Sequence, residues 1–308
     1  LNRERSDQGF SVGDIFLGRV KKIMPGLNAA FIDVGHEKDA FLHYLDLGPQ
    51  IESLVKFTNA AHNGSLSTHM LEGFKNEPDI VKTGKINRVV SNNQNILVQV
   101  MKEPISNKGP RLTADISLPG RYLVLIPFSD KISISQKIRR QEERDRLRTL
   151  VQSIKPKNFG VIIRTVAENR SVAELDADMK DLSDKWEKMF HALKNATAPT
   201  IMLGEMNRSI TILRDMLNAS FSAVYVNNQN LYHDIKSYIH NISPDKEGIV
   251  KLYKGSAPIF EHFGIDKQIK ASFGKVVNIK SGGYLIIEHT EAMHVIDVNS
   301  GHRSHSNK

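Results

Sequence analysis

A carboxylate and an amide stand two residues apart near the end of the sequence, at Asp297 and Asn299. They follow the mostly apolar run 293–296, which predicts a buried strand, so we expect the pair where that strand ends. Strand geometry would point both side chains the same way. Such oxygen donors suit a hard divalent cation that keeps several waters. The same spacing is common in turns, where Asp and Asn satisfy backbone amides, and one carboxylate rarely holds magnesium by itself.

Two phenylalanines and a lysine are candidates for contact with unpaired nucleotides. Phe31 and Phe41 lie in strand-like segments and could stack on bases if they face outward. The alternative is that one or both belong to a barrel core, the usual place of a strand phenylalanine. Lys108 lies in a loop with Arg111 nearby, which suits a phosphate backbone but is equally typical of a solvated basic loop.

A guanidinium and a hydroxyl stand together at Arg164 and Thr165, directly after the short apolar run 159–163. That pair suits a terminal phosphate, which accepts several hydrogen bonds. Gly120 would allow a close approach of the backbone, and Val124 lies further along the same segment. The alternative for Arg164 is an ordinary structural arginine paired with a carboxylate.

The elements that would position these residues follow from periodicity. Residues 13–46 predict short strands with tight turns, typical of a small barrel. The polar segment 47–80 is interpreted as an inserted excursion, after which strand character resumes at 96–100. Strands are predicted at 121–127 and 159–165, with a charged helix at 136–154.

The clearest helix begins at a capping box formed by Ser171 and Glu174. Its apolar stripe predicts core packing and consists of Val172, Leu175, Met179, Leu182, Trp186, Met189 and Leu193. A mixed α/β pattern follows, with helices predicted at 207–219 and 229–241 and strands at 221–226 and 249–253. A hairpin is predicted from 275–279 and 284–287.

Composition limits the classes of function. The net charge of +8 gives weak support for a polyanionic partner. The chain contains no cysteine, which excludes disulfides and thiolate zinc sites within it. His302 and His305 lie in a polar tail that we expect to be mobile, so we predict no zinc site there. No apolar run is long enough for a spanning helix, and we expect a soluble, cytoplasmic protein.

Taken together and in order, these segments resemble the ribonuclease E/G family. The segments that carry the resemblance are residues 18–20, 25–35, 40–42, 107–109, 116–127, 160–165, 281–283 and 296–300. Each motif is weak alone, and the ordered set is specific. The resemblance implies an α+β multidomain protein that cuts single-stranded RNA in RNA processing and decay.

The same resemblance implies a domain arrangement. A ribonuclease-H-like subdomain comprises residues 1–12 and 207–272, and it holds an OB-type barrel at 13–115 with its insertion at 47–80. A sensor of the RNA 5′-monophosphate at 116–206 and the start of a DNase-I-like catalytic subdomain at 273–308 complete the chain. Ser135, Gln136 and Lys137 stand where the family often carries a more arginine-rich sequence.

Site roles are also implied by the resemblance. Phe31, Phe41 and Lys108 would grip single-stranded RNA, and Gly120, Val124, Arg164 and Thr165 would bind the 5′-phosphate. Asp297 would be a Mg²⁺ ligand supported by Asn299. A second aspartate ligand and a cysteine zinc link between subunits are expected after residue 308, so we expect a fragment of a homo-oligomeric enzyme. The alternative hypothesis is a non-catalytic RNA-binding OB-fold module.

Overall fold

The computed structural model describes residues 10–218, 220–280 and 282–301 of the 308-residue chain. These residues fall into two units, the first ending at residue 218 and the second following it. Within the described ranges, no helix is long and apolar enough to span a membrane. The tail that contains His302 and His305 lies outside these ranges, as do residues 1–9 of the predicted first subdomain.

The first unit begins with a closed five-stranded barrel. Its strands are β1 (Ile15–Met24), β2 (Ala29–Asp33), β3 (Ala40–His43), β4 (Asn95–Lys102) and β5 (Arg111–Thr113). They are hydrogen-bonded in the order β1-β2-β3-β5-β4, and β4 pairs back with β1 to close the barrel. The predicted small barrel is therefore confirmed, and its closure is consistent with an OB-like fold.

Alternation of side chains along the strands explains why these segments form a barrel. Val20, Ile32, Leu42 and Leu112 point inward and are fully buried, whereas their outward neighbours keep contact with solvent. The barrel interior is thus an apolar core, and the outer face carries the polar and aromatic residues.

The polar segment 47–80 contains a helix, α1 (Ile51–His62), that composition did not predict. Its buried face is formed by residues three or four apart, including Ile51, Leu54, Phe57 and Ala61. Phe57 packs against Trp186, with 5.1 Å between the ring centroids. The short apolar stripe is obscured in the sequence by the surrounding Asn, His and Ser residues.

A four-stranded sheet follows the barrel within the first unit. Its strands are β6 (Leu118–Pro119), β7 (Leu123–Pro127), β8 (Ile132–Ile134) and β9 (Phe159–Ile163), and helix α2 (Gln141–Ile154) connects the last two. The strand order is β6-β7-β9-β8, with β8 parallel to β9. Because the carboxyl ends of parallel strands meet at one edge, residues 135 and 164–165 lie close together.

Helix α3 (Val172–Lys194) begins at the predicted capping box, in which Ser171 and Glu174 bond reciprocally. The predicted stripe is buried from Leu175 to Leu193, whereas Val172 is exposed. Strand β10 (Thr200–Leu203) then adds to β1, and helix α4 (Arg208–Met216) ends the unit.

In the part of the chain that the structure describes, the second unit contains a parallel strand pair, three α-helices, a 3₁₀ helix and a three-stranded antiparallel sheet. The pair is β11 (Val224–Val226) and β12 (Val250–Leu252), and the helices are α5 (Gln229–Ile242), α6 (Ile259–His262) and α7 (Ile265–Ser272). The sheet consists of β13 (Val276–Asn278), β14 (Tyr284–His289) and β15 (His294–Asn299), which confirms the predicted hairpin.

Strand β15 differs from the prediction in two respects. It continues through Asn299, because the alternating pattern does not stop at residue 296. Its side chains are largely exposed, including Ile296 and Val298, so the buried strand predicted here is wrong. An apolar run indicates that a strand is suited to burial. Within the described ranges, however, no other element packs over the apolar side chains of β15.

Candidate functional site

Phe31 and Phe41 form an aromatic pair on the outer face of the barrel. They are cross-strand partners on β2 and β3, and their rings meet edge to face at a centroid distance of 5.9 Å. Both are half-buried, whereas Ala30 and Ile32, on either side of Phe31, are fully buried. The alternative that either phenylalanine belongs to the barrel core is therefore wrong. The parts of these rings that face solvent can stack on unpaired bases.

Lys108 lies in the loop between β4 and β5, and the end of this loop meets β3 at Phe41. Two backbone hydrogen bonds between Ile105 and Lys108, of 3.0 and 3.2 Å, close the loop into a tight turn. The amide of Phe41 donates to the carbonyl of Pro110 at 2.9 Å, which ties the end of the loop to β3. The lysine is exposed and forms no ion pair with any described residue, so its ammonium group can meet a phosphate.

Arg164 follows β9 and reaches the turn that contains Gly120. Its Nη1 donates to the carbonyl of Gly120 at 2.7 Å, and its Nη2 donates to Oδ1 of Asp215 at 2.8 Å. The structure thus places the Arg164 guanidinium in contact with Gly120. It also shows the weighed alternative, a pairing of the arginine with a carboxylate. A guanidinium has five N–H groups, so the two observed contacts leave three donors for a ligand.

Thr165 and Ser135 lie side by side at the carboxyl ends of β9 and β8. Their hydroxyl oxygens are 2.8 Å apart. Two bonded hydroxyl groups share one of their hydrogens, which leaves one O–H to donate to a ligand. Val124 lies on β7, where it pairs with Ile162 of β9, and is half-buried. Ser135, where the resemblance implies an arginine-rich sequence, therefore contributes a hydroxyl group to this edge of the sheet.

Asp178 of helix α3 holds the turn that follows Gly120. Its carboxylate accepts hydrogen bonds from the amides of Arg121, Tyr122 and Leu123 at 2.8 to 2.9 Å. A Cβ on Gly120 would fall 2.6 Å from this carboxylate, so glycine is needed there. Burial raises the pKa of Asp178 above its ordinary value, although the amide hydrogen bonds oppose this shift. The close approach expected at Gly120 is therefore made by a carboxylate of the protein.

A chain of charged side chains within the first unit connects Arg164 to Glu205. Oδ1 of Asp215 also accepts a hydrogen bond from Nε of Arg214, at 3.1 Å. The buried Arg214 donates in turn to Oε1 of Glu205 at 2.9 Å. Arg214 and Asp215 line a cavity of about 600 Å³ between the barrel and α4. This network fixes the direction in which the Arg164 guanidinium points.

Sequence analysis did not identify Asp178, Asp215 or Ser135 as parts of this site. Asp178 could have been identified from the sequence, because it lies three residues after Leu175 and so falls on the apolar face of α3. An acid in that position requires hydrogen-bond partners. The other two contacts join residues far apart in sequence and carry no local pattern.

Asp297 and Asn299 lie on the same face of β15, and both are accessible. The Nδ2 group of Asn299 donates to Oδ2 of Asp297 at 3.0 Å. The amide therefore holds one carboxylate oxygen and leaves the other free. The sequence predicted this pair just after a buried strand. The structure places both residues within the last three residues of an exposed strand.

The donors at this position fit Mg²⁺ in their chemistry but not in their number. A carboxylate oxygen is a ligand that Mg²⁺ prefers. Within the described ranges, however, no group of three His, Cys, Asp or Glu side chains could hold a metal ion. Asp297 is therefore one candidate ligand and does not by itself form a metal site.

Comparison with known proteins agrees with these observations. A profile of the ribonuclease E/G family matches residues 117–308. The chain therefore belongs to the ribonuclease E/G family. It is 36% identical over 298 residues to ribonuclease G of Haemophilus influenzae, an alignment that covers 97% of this chain and 57% of that protein.

Other relatives give the same result. Ribonuclease E of Synechocystis sp. is 37% identical over 299 residues, with 96% of this chain and 40% of that protein covered. Ribonuclease G of Escherichia coli is 34% identical over 301 residues, with 98% and 58% covered. The chain thus spans about half the length of the curated relatives it matches.

Proposed function

We propose that this chain is part of an endoribonuclease that cuts single-stranded RNA, favours substrates with a 5′-monophosphate, and acts in RNA processing and decay. The observation that carries the proposal is the outward-facing pair of Phe31 and Phe41 on a closed barrel, in a chain of the ribonuclease E/G family. Stacking on these rings requires unpaired bases, because bases within a duplex are already stacked on each other.

The 5′-end would bind at the edge of the second sheet. Arg164 would donate to the terminal phosphate through N–H groups that Gly120 and Asp215 leave unused. Thr165 would add a hydroxyl donor, while the segment from Gly120 to Val124 forms the backbone wall of the pocket. A 5′-hydroxyl end lacks the charge and the acceptor oxygens that these groups recognise, so it would bind more weakly.

The catalytic role belongs to Asp297, with Asn299 holding its carboxylate. Bound Mg²⁺ would supply a Lewis acid and an activated water molecule. The remaining ligands would come from parts of the protein outside the described ranges. We also propose that the whole protein is a homo-oligomer, as the resemblance implies.

The test is a cleavage assay on the whole protein with a fluorescent single-stranded RNA, with and without Mg²⁺. Asp297→Asn should abolish cutting and leave RNA binding within about twofold of the wild type, because the barrel surface is unchanged. Glu291→Gln, which changes an exposed acid in the β14–β15 turn, is the matched control and should cut normally.

Two outcomes would contradict parts of this proposal. Cutting by Asp297→Asn at the wild-type rate would remove that residue from the catalytic site. RNA binding without any cleavage by the whole protein, under all metal conditions, would favour the non-catalytic RNA-binding module instead.

A further inference from the structure

The outer face of the barrel carries a row of side chains that extends beyond the aromatic pair. Strand register places five residues opposite one another across five strands, namely Lys22, Phe31, Phe41, Arg111 and Lys102. With a spacing of about 4.8 Å between neighbouring strands, the row follows the curved barrel wall for roughly 19 Å. Because β4 also pairs with β1, the row winds around the closed barrel, and its two aromatic rings lie between Lys22 and Arg111.

Two β-bulges place the terminal lysines in this row. The register of β1 against β2 shifts between Val20 and Lys22, and that of β4 against β5 shifts between Val100 and Lys102. A bulge inserts one extra residue and re-aims the side chain that follows. Val20 and Val100 consequently stay inward and buried, while Lys22 and Lys102 point outward and are exposed.

Arg111 is held in place beside Phe41 by an acid. Its Nε and Nη2 donate to Oδ2 of Asp46 at 3.0 and 2.8 Å. The carboxylate of Asp46 is mostly buried, whereas the arginine side chain is 41% exposed. One side of the guanidinium is thus anchored, and Nη1 has no hydrogen-bond partner among the described residues. An arginine fixed in this way is ready to bind a phosphate with little loss of side-chain freedom.

Lys22 is the counterpart on the other side of the aromatic pair. It is exposed and has no acid within ion-pair distance among the described residues. Its neighbour Lys21, in contrast, pairs with Asp39 at 2.7 Å and with Asp33 at 3.7 Å. Of these two adjacent lysines, the one in register with Phe31 is therefore the one with an uncompensated charge.

We propose that single-stranded RNA crosses the barrel along this row and that Lys22 and Arg111 bind its phosphates on either side of the two stacked bases. This inference rests on the proposed function only in that the partner is single-stranded RNA. The order of one cation, two rings and a second cation matches a single RNA strand in which phosphates lie on either side of two stacked bases.

Salt dependence provides a test that a structural role would not affect. For single-stranded nucleic acid, each phosphate contact adds about 0.7 to the slope of log K against log salt. Lys22→Ala and Arg111→Ala should each reduce this slope by about 0.7, which corresponds to roughly 5-fold weaker binding at 0.1 M salt. Arg111→Lys, which keeps the charge, should retain the slope.

The measurement is fluorescence anisotropy of the 308-residue chain with a labelled oligouridine at several salt concentrations. Matched controls are Lys188→Ala on α3 and Arg148→Ala on α2, where Arg148 is also half-exposed and paired with an acid, at 3.2 Å from Asp145. Both controls should keep the wild-type slope.

The outcomes separate this inference from the proposed function. If Phe31→Ala and Phe41→Ala weaken binding while Lys22→Ala and Arg111→Ala keep the wild-type slope, the row is wrong and the aromatic surface stands. If none of the four variants changes binding, the barrel face is not the RNA surface and the proposed function fails with it.

Discussion

Replacing Arg164 with alanine should lower the preference of the protein for RNA that carries a 5′-phosphate. In the structure, one N–H group of Arg164 is used by the carbonyl of Gly120 and one by Asp215. The remaining three are available to a phosphate. The variant removes all of these donors and the positive charge in one step, while the aromatic surface of the barrel stays unchanged.

The magnitude follows from the type of bond that is lost. A hydrogen bond to a charged group contributes about 1.5–3 kcal/mol. The Arg164 side chain is 23% exposed, so water screens it only partly. We therefore expect the ratio of affinities for phosphorylated and unphosphorylated RNA to fall by roughly 10- to 150-fold, since each 1.4 kcal/mol is a factor of ten.

The assay compares two single-stranded RNAs of one sequence, with either a 5′-phosphate or a 5′-hydroxyl group. Taking the ratio of their affinities cancels any general loss of RNA binding. Arg148→Ala serves as the matched control, because it removes an exposed, acid-paired arginine from helix α2. Asp215→Asn should have the opposite effect. It keeps an acceptor for Arg164 but removes a negative charge near the phosphate, so the ratio of affinities for phosphorylated and unphosphorylated RNA should rise.

An unchanged ratio in a folded Arg164→Ala protein would refute this reasoning. Circular dichroism and the melting temperature would establish that the variant is folded. In that case the terminal phosphate binds elsewhere, and Arg164 is the structural arginine that its pairing with Asp215 also allows.

Two further predictions concern stability. Hydrogen bonds from Arg146 hold the pKa of the buried Glu143 at about 2. The carboxylate therefore stabilises the fold fully above pH 4.5, and this stabilisation is lost as the pH falls through 2. Glu143→Gln should make the free energy of unfolding depend less on pH in this range. Phe57→Ala should lower the free energy of unfolding by about 3–5 kcal/mol, because it empties a fully buried position. Fluorescence of Trp186, the one tryptophan, reports this unfolding in urea.

The sequence predicted those helices and strands whose capping residues or apolar periodicity lie within a single segment of the chain. The capping box and the apolar stripe of α3 predicted its start and its buried face. The alternation in residues 13–46 predicted the first barrel strands. Helix α1 was missed because its buried face contains only four apolar residues, set within a polar segment. Packing against Trp186 supplies stability that the local sequence does not show.

The orientation of Phe31 and Phe41 could not be derived from their local sequence. A shift of one residue in strand register exchanges the inner and outer faces of a strand. Their exposure is set by pairing with β1 and β5, and β5 lies about 70 residues after Phe41 in the chain. The carboxylates that hold Arg164 and Arg111 are likewise 51 and 65 residues away from their partners.

These carboxylates explain why arginine occupies both positions. Arg164 and Arg111 each bond to an acid, Asp215 and Asp46 respectively, and still keep N–H groups for a phosphate. A planar guanidinium can do this because its donors point in several fixed directions. A lysine at either position would keep the charge but lose this fixed set of separately directed donors. Lys108, in contrast, has no acid partner among the described residues, and there a mobile ammonium group is sufficient to follow a phosphate backbone.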